Sequence, residues 1–162
     1  MKKVDLLTIL LCLLKMEILY AGLKGSSIID PLVGNMLGDG HLRFTHKDKI
    51  GKPKIGTNGL YAMTLKSHEY IMYLWSKIYF QICTSTLPRA WPSPKTGLPA
   101  TQYSFNSRSL FQLTLLHRLW YVWSDELNKF VKIVPLNIKE LLTPIGIALN
   151  FPSLKENNGR WL

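Results

Sequence analysis

The sequence predicts an α+β fold in which helices alternate with β-hairpins along a chain of 162 residues. Segments 41–45 and 60–65 alternate apolar and polar side chains with the two-residue period of paired strands. Segment 67–82 instead repeats its apolar residues at helical spacing. That apolar face comprises Ile71, Leu74, Trp75, Ile78 and Tyr79. Helices and hairpins in this order are typical of an α+β layout.

The first predicted helix covers residues 28–37, which are mostly apolar. Pro31 fits its first turn, where the missing N–H of proline costs nothing. A linker at 22–28 offers Ser26 or Ser27 as the cap. The helix is expected to end at one of the two glycines at 38 and 40.

The strands 41–45 and 60–65 form the first predicted hairpin, joined by a long glycine-containing loop. Between residues 41 and 66 there are six basic residues and a single acid, Asp48. The basic residues are Arg43, Lys47, Lys49, Lys52, Lys54 and Lys66. This hairpin is therefore expected to present a positive face.

The helix at 67–82 follows, and Ser67 supplies its start. A second hairpin is predicted at roughly 87–106, and Ser107 or Ser109 is expected to cap a helix continuing to about residue 121. Further along, 128–134 is a short strand or an extended link. Asn137 is expected to cap a last helix through about residue 149.

Composition narrows the class of protein. Hydrophobic residues make up 47% of the chain, which excludes a disordered protein. Lys and Arg outnumber Asp and Glu by 20 to 10, an excess that suits a polyanionic partner. The two cysteines, Cys12 and Cys83, do not form a disulfide pattern. The four histidines have no metal-ligand spacing, and we interpret them as surface or loop residues.

The apolar run 6–14 near the N-terminus is too short to span a bilayer as a helix. It has the length of the apolar part of a signal peptide, but the charges around it also fit a short amphipathic or buried helix. We regard residues 1–28 as an N-terminal extension, and membrane contact is not the favoured interpretation.

Asp39 is the residue that points most directly to a functional site, because it follows the end of the first predicted helix. A carboxylate there faces the negative end of the helix dipole and calls for a compensating cation, such as a divalent metal. Asp39-Gly40 is also a common turn dipeptide, so local physics leaves a plain turn open. Gly34 and Gly38 are four residues apart, a spacing that would allow another helix to approach closely.

Residues 32–42 resemble the first motif of the LAGLIDADG homing endonucleases, in the form of a hydrophobic helix ending in a Leu-Gly-Asp-Gly-His-Leu run. Residues 134–148 resemble the segment leading into the second motif of organellar, intron-encoded members. The hairpin–helix–hairpin–helix order between them also matches, so the resemblance covers about residues 29–150. It implies an αββαββα domain with a basic β saddle and a degenerate second motif helix.

In that family, two motif helices pack together and each delivers one acid to divalent metals that cut DNA. The resemblance therefore implies that Asp39 is the catalytic, metal-binding acid, with Mg²⁺ or another divalent cation as cofactor. It also implies helix-packing roles for Gly34, Gly38 and Gly146. The hairpin residues expected to contact nucleic acid, by region rather than by motif, are Arg43, Lys47, Lys49, Lys52, Lys54 and Lys66.

The chain departs from the family pattern where the second acid is expected, because Ser153 stands there and Pro152 precedes it. We therefore divide the chain into an extension at 1–28, a first LAGLIDADG-like domain at 29–134 and a degenerate start of a second domain at 135–162.

Two functions remain open at this point. One is a site-specific DNA endonuclease that is impaired alone and needs a second half-domain chain or a homodimer to supply the other acid. The other is a cleavage-dead relative that binds structured RNA, as a splicing factor or with an organellar ribosome. The resemblance implies a mitochondrial or other organellar location.

Overall fold

The computed structural model describes residues 28–149, in which helices and hairpins alternate. The α+β prediction is confirmed. In chain order the elements are α1 (Ile29–Met36), β1 (His41–Phe44), β2 (Gly59–Leu65), α2 (His68–Tyr73), β3 (Arg89–Trp91), β4 (Gln102–Asn106), α3 (Phe111–Trp120), β5 (Tyr121–Ser124), β6 (Lys129–Lys132), α4 (Ile138–Leu141) and α5 (residues 144–149).

The two predicted hairpins join into one four-stranded antiparallel sheet with the order β1-β2-β4-β3. Leu42 lies opposite Tyr61, and Met63 lies opposite Phe105. All four side chains are buried, so they mark the inner face of the sheet. Because neighbouring residues of a strand point to opposite faces, Arg43 lies on the outer face.

The hydrophobic core lies between the inner face of the sheet and the helices. Every residue of α1 is buried, including Leu32 and Met36, which are fully enclosed. Trp120, at the end of α3, is the largest fully buried side chain. Leu141 of α4 belongs to the same cluster, so the chain after residue 134 packs onto the core that α1 helps to form.

The observed helix α2 covers only the first part of the helix predicted at 67–82. Ser67 caps α2 as expected, since its hydroxyl accepts a hydrogen bond from the N–H of Tyr70 at 3.2 Å. After Tyr73 the chain continues in a wider π-helical turn, Leu74–Ile78, in which the N–H of Tyr79 reaches the carbonyl of Leu74. The wider turn still buries Leu74 and Tyr79, so the apolar periodicity survives the change of helix type.

The cap predicted at Ser107 or Ser109 is wrong. Leu110 stands at the N-cap of α3 and makes no side-chain capping bond. The hydroxyl of Ser107 is buried, and it accepts from the N–H of Tyr61 at 2.9 Å and donates to the carbonyl of Arg108. Ser107 therefore ties the end of β4 to β2 instead of starting a helix.

Residues 128–134, expected as a short strand or a link, provide β6 of a separate two-stranded hairpin with β5. The last predicted helix is divided into α4 and α5 by the non-helical residues Leu142 and Thr143, and Pro144 begins α5. Proline restricts the residue before it and has no N–H to continue a helix, which explains the division. Asn137 does stand at the N-cap of α4, but its side chain makes no capping bond.

No helix between residues 28 and 149 is long and apolar enough to cross a membrane. The apolar run at 6–14, the candidate caps Ser26 and Ser27, and Ser153 lie outside the described residues.

Candidate functional site

Residues 37–40 connect α1 to β1 and contain Asp39, and we call them the acidic turn. The N–H groups of Gly38 and Gly40 both donate to the carbonyl of Asn35, at 3.1 and 2.9 Å. A Cβ atom at Gly40 would lie 2.7 Å from that carbonyl oxygen and 2.8 Å from the hydroxyl of Tyr61. Only glycine fits after Asp39, because any side chain would lift the turn from the sheet.

Lys132, on β6, holds this turn from the other side. Its ammonium donates to the carbonyls of Gly38 at 3.0 Å and Gly40 at 2.8 Å, the residues on either side of Asp39. Burial lowers the pKa of Lys132, and the nearby carboxylate of Asp39 opposes that change. The compensating cation expected beside Asp39 is therefore supplied, at least in part, by the protein itself.

The surroundings of Asp39 bear on whether it could hold a divalent metal. Between residues 28 and 149, no three His, Cys, Asp or Glu residues come together in a metal-binding cluster. Asp39 is accompanied by an ammonium, which repels a divalent cation, and two nearby carbonyls already accept hydrogen bonds from it. Because Mg²⁺ is usually held by only one or two carboxylates together with water and phosphate oxygens, the metal-binding role of Asp39 stays a prediction.

The two small residues Gly34 and Gly146 bring α1 and α5 into direct backbone contact. A Cβ atom at Gly34 would overlap the carbonyl group of Gly146 and lie 2.7 Å from its Cα. A Cβ atom at Gly146 would lie 2.7 Å from the carbonyl oxygen of Asp30. Gly38 lies in the turn beyond α1, which ends at Met36, and its packing role stays a prediction.

The outer face of the four-stranded sheet carries basic and small polar side chains. The guanidinium of Arg43 donates to the side-chain oxygen of Asn106 at 3.2 Å, across two strands. Arg89 is exposed on β3 and pairs in register with Ser104. None of the four strands contains Asp or Glu. Sequence reasoning missed Arg89 and Asn106, because the hairpin 87–106 has few charges and no recognisable motif.

The loop at 45–58, hereafter the basic loop, carries four of the predicted contact residues, and all four are exposed: Lys47, Lys49, Lys52 and Lys54. Its one acid, Asp48, accepts hydrogen bonds from the N–H groups of Ile50 at 3.0 Å and Lys52 at 2.9 Å. That carboxylate thus shapes the loop. The sixth predicted residue, Lys66, is exposed just after β2.

The basic loop is tied to the second hairpin by an aromatic contact. The ammonium of Lys52 lies 4.9 Å from the ring centre of Trp123 on β5, a cation–π arrangement. This contact holds one lysine of the loop against the second hairpin.

His117 corrects the interpretation of all four histidines as surface or loop residues, because only 3% of its surface is exposed. Its ring stacks on that of Tyr121, with 4.4 Å between the ring centres. The ring centres of Phe44 and Phe130 lie 4.5 and 4.8 Å away. Burial lowers its pKa to about 4, with a smaller contribution from Lys47. His117 is therefore neutral at physiological pH. Burial also lowers the pKa of His41, next to the acidic turn.

Comparison with known proteins settles the family. The model of the LAGLIDADG DNA endonuclease family matches residues 29–151, about three quarters of the chain. This chain belongs to the LAGLIDADG family. Its acidic turn, glycine crossing and sheet all lie within the matched residues, as the motif at 32–42 predicted. In the LAGLIDADG domain of this chain, a lysine of β6 thus lies near the acid of the first motif.

One relative is similar over most of the domain. Cytochrome b mRNA maturase bI2 of Saccharomyces cerevisiae is 26% identical over 125 residues, which cover 76% of this chain and 28% of the relative. The chain therefore spans less than a third of that protein's length.

Proposed function

We propose that this LAGLIDADG domain is a nucleic-acid-binding protein that holds duplex DNA or structured RNA against the outer face of its sheet. The observation that carries the proposal is the charge of that face: within the described strands it has no carboxylate, yet it presents Arg43 and Arg89. A polyanion would meet no repulsive side chain there.

We expect the outer face and the basic loop to make different kinds of contact with the nucleic acid. Lysines of the basic loop are exposed and long, which suits contacts with phosphate oxygens. Arg43 is held by Asn106 in one orientation, so its guanidinium loses less freedom when it meets a phosphate or a base edge. Asn106 and Ser104 offer uncharged groups that could read base edges beside it.

We further infer that cleavage of DNA, with Mg²⁺ or another divalent cation, would require a second carboxylate from another chain. The support is the single acid of the turn and the ammonium beside it, among the residues described. A separate half-domain chain or a homodimer copy could bring that carboxylate. Binding without cleavage is the activity expected of the chain alone.

A role in RNA splicing is the second candidate function. It is favoured by the similarity to a yeast protein named as an mRNA maturase. That relative also supports an organellar location, because it is named for cytochrome b mRNA. RNA and DNA binding would use the same charged face, so direct competition between the two nucleic acids separates the candidates.

The proposal is tested by measuring the affinity of the full chain for a labelled DNA duplex and a labelled RNA hairpin at several salt concentrations. Five phosphate contacts would give a log–log slope of about −4 to −5. The double variant Arg43→Gln/Arg89→Gln should weaken binding and flatten the slope by about 1–2. The matched control Lys77→Gln/Lys139→Gln removes two exposed charges from helical segments and should change little.

Equal losses in the two double variants would mean that net charge alone drives binding, and would contradict the assignment to the sheet. Affinity that does not depend on salt would contradict nucleic-acid binding through these side chains. If the RNA hairpin outcompetes the duplex by tenfold or more, the splicing function is favoured over the endonuclease.

A further inference from the structure

Two adjoining cavities lie between β1, the basic loop, α3 and the β5–β6 hairpin, and Arg43 of the outer face lines the smaller one. The larger has a volume of about 470 Å³ and the smaller about 230 Å³. Four rings line both cavities: Phe44, His117, Tyr121 and Phe130. The larger one falls within the size range of small-molecule sites.

His117 gives these cavities a polar group that the fold leaves unused. It is almost fully buried and lines both cavities, yet no described residue makes a hydrogen bond with its ring nitrogens. A neutral imidazole carries one donor and one acceptor. The ring nitrogens are not among the described buried atoms that lack a hydrogen-bond partner, so they are open to the cavities and are available to a ligand that enters them.

The charges around the cavities define what could enter. Lys54 and Arg118 border the larger cavity, and Lys47 and Lys129 border the smaller one. No Asp or Glu lines either cavity among the described residues. Aromatic walls with a hydrogen-bonding imidazole suit a planar heterocycle, and a purely basic rim suits an attached anion.

We propose that the larger cavity binds the base of an unpaired nucleotide, while Lys54 and Arg118 hold its phosphate. The base stacks against the aromatic wall, and His117 donates to or accepts from its edge. This site is distinct from the sheet face, which holds paired nucleic acid. The two surfaces together select a duplex that carries an extruded or bulged nucleotide beside the basic loop.

The proposal builds on nucleic-acid binding by the domain, and the test separates the two. The full chain is titrated with a labelled 20-base-pair duplex and with the same duplex carrying one bulged adenosine, each as RNA and as DNA. Stacking of one base is worth enough to make the bulged duplex bind about tenfold tighter. Fluorescence of a 2-aminopurine at the bulge should fall when the protein is added, whereas that of a paired 2-aminopurine, which its neighbours in the duplex already quench, should not change.

Two variants test the cavity directly. His117→Phe keeps a ring in the aromatic cluster but removes both polar nitrogens, and Arg118→Gln removes one charge of the rim. Each should reduce the advantage of the bulged duplex from about tenfold to threefold or less, while binding of the plain duplex stays the same. Lys77→Gln removes a charge far from the cavities and should preserve the advantage. Adenosine monophosphate alone shows whether a free nucleotide suffices.

Equal affinity for plain and bulged duplexes would overturn the cavity proposal and leave the sheet face untouched. Absence of plain-duplex binding alongside tight binding of the bulged form would overturn the sheet assignment instead. If a tryptophan-containing peptide displaces the quenched 2-aminopurine as well as adenosine monophosphate does, the cavity belongs to a protein partner and the proposal is wrong.

Discussion

The contact between α1 and α5 predicts that Gly34→Ala destabilises the domain, although alanine is the better helix former. In an exposed helix this substitution gains about 1 kcal/mol from backbone propensity. At Gly34 the new Cβ would overlap the carbonyl of Gly146 and lie 2.7 Å from its Cα. These are backbone atoms, so no side-chain rotation relieves the contact.

The size of the effect follows from these opposing contributions. Overpacking of a close contact costs about 1–3 kcal/mol, and here α5 must move as a unit because its backbone is the obstacle. Gly146 is also close to the carbonyl of Asp30, which restricts that movement. With a cost in the upper part of that range, about 2–3 kcal/mol, the net loss after the gain of about 1 kcal/mol is about 1–2 kcal/mol, equivalent to a fall in melting temperature of about 2–8 °C.

Thermal unfolding gives the loss, and hydrogen exchange of residues 138–149 shows where it acts. Exchange should accelerate at the N–H of Ile147, which is bonded to Thr143, and less in the sheet. Gly56→Ala is the matched control: its Cβ meets nothing within 4 Å, and its cost arises only from a φ of +79°. That control should leave exchange in α5 unchanged. If Gly34→Ala melts at or above the wild-type temperature with α5 still protected, the close crossing does not exist.

Three further predictions concern charges. Because the pKa of His117 is about 4 when folded and 6.5 when unfolded, its contribution is complete above pH 6.5 and lost as the pH falls toward 4. Relative to His117→Phe, wild type should lose about 1–2 kcal/mol of denaturant stability over that range, since water in the cavities screens part of the effect; parallel pH profiles would contradict this. Lys132→Met should cost about 1–3 kcal/mol by removing two charged hydrogen bonds, and unchanged urea unfolding would disprove the role of Lys132. Purified chain with Mg²⁺ or Mn²⁺ should give at most slow nicking, abolished by Asp39→Asn; efficient double-strand breaks in a plasmid assay would instead imply a homodimer with two copies of Asp39.

The sequence predicted those parts of the fold that depend on local pattern. The strands at 60–65 and the helix start at Ser67 are confirmed, because alternation and capping chemistry act over a few residues. The predicted helix end at about residue 121 agrees with the observed end of α3 at Trp120, but β5 was not predicted, since α3 passes directly into it without glycine or proline. The division of the last helix at Pro144 could have been read from proline alone.

The candidate site likewise contains residues that the sequence predicted and residues that it did not. Asp39 and the glycines around it form a contiguous motif and were found, whereas Lys132 approaches the turn from more than 90 residues away. Nothing in its local sequence distinguishes it from any other strand lysine. His117 was assigned to the surface because a histidine on an amphipathic helix gives the same pattern whether it faces solvent or an aromatic cluster.

The hydrogen bonds from Lys132 to the acidic turn can form only late in the synthesis of this domain. Gly38 and Lys132 are separated by 94 positions, so at about 5–20 residues per second a ribosome finishes β6 roughly 5–20 s after Asp39 emerges. During that interval the first hairpin can already form from local contacts, but the turn has no ammonium to close it. A nascent chain, or a fragment that ends before β6, would contain the basic loop and its lysines. Asp39 would not yet be held in position by Lys132 in such a chain. Affinity for a polyanion and an ordered carboxylate are thus acquired at different times.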